Sequence, residues 1–108
     1  MTKDEMKAEN LTKFQLGDVL YYSWGFDQTQ VEFFQITKRT GATIEARPIE
    51  SEITKDDGLA MTGKATPTKG KFIGSRTITK RIGAFGAKMD HGYLRPLESE
   101  SKQVSWYG

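Results

Sequence analysis

Residues 21–29 read Tyr21-Tyr22-Ser23-Trp24-Gly25-Phe26-Asp27-Gln28-Thr29, and Val31-Glu32-Phe33-Phe34-Gln35-Ile36 follows at once. Apolar and aromatic positions alternate with period two on both sides of a Gly and Asp-Gln-Thr break. That pattern predicts two antiparallel strands joined by a turn. Leu20, Tyr22 and Trp24 fall on one face of the first strand, and Val19, Tyr21 and Ser23 on the other. Tyr22, Trp24, Phe34 and Ile36 are therefore expected in a core. Neighbouring residues of a strand cannot share a face, so Tyr21 needs cover of its own, which the N-terminal segment is placed to give.

Further strand signals cover residues 42–49, 72–82, 91–97 and 104–107. Pro48 should end its ladder or mark an edge. Residues 50–71 are polar, with Asp56-Asp57-Gly58 and Thr66-Pro67-Thr68-Lys69-Gly70, and read as a long loop. Gly83 and Gly86 mark residues 83–90 as a turn region. Residues 1–13 read as a tail or short helix, with Thr2 and Glu5 spaced as a capping box. Residues 14–108 then form a single β domain.

Five or six short strands in 108 residues with 11 glycines favour a mainly β fold. A strongly bent antiparallel sheet or an SH3- or OB-like barrel leaves few open edges. A two-layer sandwich is the other solution.

Cys is absent, which removes thiol catalysis and Cys-ligated metal and fits a cytoplasmic setting. No apolar run reaches the ~20 residues of a membrane-spanning helix. The charged start, Met1-Thr2-Lys3-Asp4-Glu5, does not resemble a secretory leader.

The string Gly17-Asp18-Val19-Leu20-Tyr21-Tyr22-Ser23-Trp24-Gly25-Phe26-Asp27-Gln28-Thr29 resembles a family of small uncharacterised proteins of phages, plasmids and other mobile elements. Their shared pattern is a Gly-Asp opening, then Ser-Trp-Gly-aromatic-Asp-Gln-Thr, then an alternating aromatic strand. Thr77-Ile78-Thr79-Lys80-Arg81-Ile82 and the terminal Trp106-Tyr107-Gly108 are also similar to it, whereas Leu97-Glu98-Ser99-Glu100 stands where the family often has a Trp-Asp turn. The resemblance implies a host-facing role and supplies no catalytic residue.

The residues themselves point to binding rather than catalysis. His91 is the one histidine, and its neighbour Asp90 would face the other side of a strand. Glu50, Glu52, Asp56 and Asp57 read as solvated charge. No cofactor or metal is expected. Residues 58–89 carry seven Lys or Arg and no acid, an asymmetry that steers anions.

Two partner classes fit this chain. In the first, the protein occupies a host protein or nucleoprotein complex, such as a defence nuclease, and inhibits it. Phe26, Asp27, Gln28, Arg76, Lys80 and Arg81 are the candidate contacts. In the second it binds nucleic acid. Lys64, Lys69, Lys71, Arg76, Lys80 and Arg81 would then meet phosphates while Tyr21 stacks on a base.

Overall fold

The computed structural model describes residues 2–24, 30–55, 62–90, 92–98 and 102–105. They form one helix, α1 (Lys3–Lys13), and eight strands. The strands are β1 (Val19–Trp24), β2 (Gln30–Thr40), β3 (Thr43–Lys55), β4 (Thr62–Phe72), β5 (Ile78–Gly83), β6 (Gly86–Met89), β7 (Gly92–Pro96) and β8 (Lys102–Ser105). All pairings are antiparallel.

Six strands close a ring in the order β1-β2-β3-β5-β6-β7, sealed by Leu20 against Pro96 and Tyr21 against Arg95. The chain is thus a mainly β barrel with an N-terminal helix. β4 lies outside the ring on the second half of β3, and β8 lies on β4. β3 is shared: residues 43–46 pair with β5, and residues from Ile49 onward pair with β4.

Pro48 sits between those two pairings, so its missing N–H falls where β3 changes neighbour. Its carbonyl still accepts from Ile73 N at 2.9 Å. The β3–β5 ladder ends just before the proline, as expected, while the strand itself continues through it.

Alternation along β1 and β2 builds two cores, one on each side of the sheet. Leu20, Tyr22, Phe34 and Ile36 point into the barrel with Ile44, Ile82 and Leu94. Phe33, Ile49 and Ala65 form a second cluster outside it, joined by Val19, Tyr21, Val31, Phe72 and Leu97. Phe33 and Phe34 are both almost fully buried because β2 is covered on both faces. The cover for Tyr21 comes chiefly from this outer cluster. The side chain of Trp24 lies outside the described residues.

Three sequence expectations change. Residues 50–55 and 62–71 are strand rather than a long loop. One face of that hairpin rests on the outer cluster through Ala65, a small residue, so little apolar signal marks it. The single strand expected over 72–82 is broken at 73–77, and the turn region contains β6.

α1 covers one end of the barrel. Thr2 caps it by accepting from Glu5 N at 3.2 Å, and none of its residues is fully buried. Phe14, just past the helix, is fully buried and plugs the barrel end. Arg39 ties the helix C-terminus down, donating to the carbonyls of Leu11, Phe14 and Gly41. A cation suits that end of the helix dipole. Arg39→Ala should lower stability by about 2 kcal/mol in urea unfolding, because it strands part-buried carbonyls. Arg39→Lys should restore only part, since an ammonium cannot span three acceptors as the guanidinium fork does.

Candidate nucleic-acid interface

The sequence-predicted basic residues do not share one surface. Arg76 stands between β4 and β5, 3.4 Å from the Glu32 carboxylate and with its guanidinium 5.8 Å from the Phe34 ring centre. Lys80 lies half-buried, facing inward with Ile78 and Ile82. Lys71 is paired with Glu50 at 3.0 Å. Lys64 and Lys69 are exposed on β4, the strand that also carries Lys71. Arg81 is exposed on the outer side of β5. Tyr21 is half-buried at the outer cluster. Phe26, Asp27, Gln28 and His91 lie outside the described residues.

A different set converges around Arg81. The register pairs Ile82 with Ala87, and Ala87 with Leu94, all buried in the barrel. Their neighbours Arg81, Lys88, Tyr93 and Arg95 must therefore point outward. Lys88 lies directly opposite Tyr93. Arg81, Lys88 and Arg95 are all exposed, on three consecutive strands. None of the three has an ion-pair partner among the described residues. The strands Ile78–Gly83, Gly86–Met89 and Gly92–Pro96 contain no Asp or Glu.

Phe85 stands at the turn between β5 and β6. It is 41% exposed, with its ring 5.7 Å from that of Tyr93. Lys3 Nζ approaches the Phe85 ring at 5.9 Å. The face thus alternates fixed positive charge with aromatic surface. Phosphates favour the first and base faces the second.

Beside it runs a groove of about 310 Å³ between α1 and β7, sharing Phe85 and Arg95 with the face. Asn10 on α1 fixes one wall by donating from Nδ2 to the carbonyls of Gly83 at 2.8 Å and Ala84 at 3.0 Å. Lys13 bridges Glu98 at 2.9 Å and Glu9 at 3.1 Å. Hydrogen bonds to Glu98 and then Glu9 hold the Lys13 ammonium above its ordinary range. The charged form is favoured, so this bridge persists below that ordinary range. On the alkaline side it is lost as pH rises through the elevated value.

Sequence reasoning missed Phe85, Lys88, Tyr93 and Arg95 as site residues. Gly83-Ala84-Phe85-Gly86 was legible as a turn, and 91–97 as a strand. Nothing in the linear order shows that Arg95 stands beside Arg81 and Lys88.

Among the described residues no group of three or more His, Cys, Asp or Glu is arranged to hold a metal ion. No described helix is long and apolar enough to cross a membrane. Compared with known protein families, curated proteins and solved structures, the chain matches none.

Proposed function

We propose that this chain is a non-enzymatic binding protein that holds nucleic acid on the outer face of β5, β6 and β7. The observation that carries the reading is the convergence of Arg81, Lys88 and Arg95 on three neighbouring strands that contain no Asp or Glu, together with Phe85 and Tyr93. Several basic side chains elsewhere are answered by the fold: Lys13, Lys38, Lys71 and Arg76 by carboxylates, Arg39 and Arg47 by carbonyls. Three unanswered bases on one face are free to displace counterions from phosphate. We place this activity in the cytoplasm of a host cell and assign the chain to a mobile element, in keeping with the motif at residues 17–29.

Three phosphate contacts imply a slope near −2 in a log–log plot of affinity against salt for single strands. Affinity should then fall about 20-fold between 50 and 200 mM salt. Fluorescence anisotropy with labelled single-stranded and duplex oligonucleotides measures this directly. The triple variant Arg81→Glu, Lys88→Glu, Arg95→Glu should abolish binding while keeping the thermal transition, since all three side chains are exposed. Wild-type protein that binds no oligonucleotide at low salt overturns the proposal, as does a triple variant that binds normally. Capture of a host protein that survives nuclease treatment and is lost in the triple variant would replace it with inhibition of a host defence protein through the same face.

A further inference from the structure

We infer that the groove between α1 and β7 takes an unstacked nucleobase, so that the chain prefers single strands to duplex. This inference rests on the reading of the neighbouring face as a nucleic-acid interface.

Charge separates the two surfaces. The outer face offers Arg81, Lys88 and Arg95 with no acid on its strands. The groove contains Glu9 and Glu98 as well as Lys13 and Arg95, so its formal charge cancels. A phosphate entering it would face two carboxylates whose near base is already engaged. A neutral ring meets no such penalty.

The walls also suit a flat ring. Phe85, Tyr21 and Pro96 line the groove, and Phe85 is 41% exposed. Both amide hydrogens of Asn10 are committed to Gly83 O and Ala84 O, which fixes the side chain and leaves Oδ1 as an acceptor. With the Glu98 carboxylate, it can meet the N–H donors on the edge of a base. A duplex cannot present that edge, because its bases are stacked and paired. Phosphates therefore track the outer face while one base turns across Phe85 into the groove.

The test compares a fluorescein-labelled single strand with its duplex at one salt concentration. Wild-type protein should bind the single strand at least 10-fold tighter. Phe85→Ala should weaken single-strand binding about 10-fold and leave the salt slope unchanged, because no phosphate contact is lost. An oligonucleotide with abasic sites keeps its phosphates and needs no protein variant. It should lose about 10-fold against wild type and nothing against Phe85→Ala. Equal wild-type affinity for single strand and duplex overturns the groove assignment while leaving the interface standing. So does equal binding of abasic and intact strands. Wild-type protein that binds neither form overturns the interface itself.

Discussion

Gly86→Ala is expected to destabilise the barrel by roughly 4 kcal/mol, at the upper end of single-residue effects. Gly86 begins β6 with φ +112, and a Cβ there would stand 2.2 Å from the backbone oxygen of Leu94. Backbone cannot swing aside as a side-chain tip can. β6 and β7 would have to separate, drawing Ala87 and Leu94 out of the barrel core, where neither is exposed. In urea unfolding the midpoint should fall by about 2 M. Gly41→Ala separates contact from conformation. Gly41 also has positive φ, +57, but nothing lies within 4 Å of its would-be Cβ. It should cost only about 1 kcal/mol, the left-handed backbone penalty. Equal losses at the two sites would mean that strain, not the approach of Leu94, governs the position.

Phe34→Ala should cost about 4 kcal/mol by removing a fully buried ring from the barrel centre. Phe34 lies opposite Leu20 across the β1–β2 pair, and the Arg76 guanidinium lies over its ring. Truncation would leave a cavity beneath the Glu32–Arg76 pair as well as remove apolar contact. Phe34→Leu should recover more than half, because most of the volume returns. Equilibrium unfolding followed by tryptophan fluorescence checks both. A loss under 1 kcal/mol for Phe34→Ala would mean that the barrel collapses around the gap, contrary to a packed interior.

The parts legible in the sequence are those where one alternation rule suffices. Leu20-Tyr21-Tyr22 and Phe33-Phe34 declared strands, and burial of both members of the Phe pair follows from cores on either side. The β3–β4 pairing was illegible because residues 51–55 and 62–68 are mostly polar, and the buried contact there is Ala65 rather than a large side chain. The break at 73–77 hid inside a run whose two ends each read as strand. The site was less legible still. Arg76 and Lys80 belong to the acid-free stretch, yet Arg76 meets Glu32 and Lys80 faces inward. Arg95 lies beyond that stretch and joins Arg81 and Lys88 only through two successive strand registers. Charge counted along a chain cannot see a surface assembled across it.

The seam where Leu20 meets Pro96 has a kinetic consequence. β1–β2, β2–β3, β5–β6 and β6–β7 each join near neighbours and can zip through short loops. The β1–β7 seam joins segments far apart in the chain and has two paired positions among the described residues. Closing so long a loop is entropically slow. During synthesis the barrel remains an open, curled ribbon with its β1 edge exposed until β7 has emerged. Ring closure is therefore a late event, and the open ribbon is the species most prone to pair with another copy of itself.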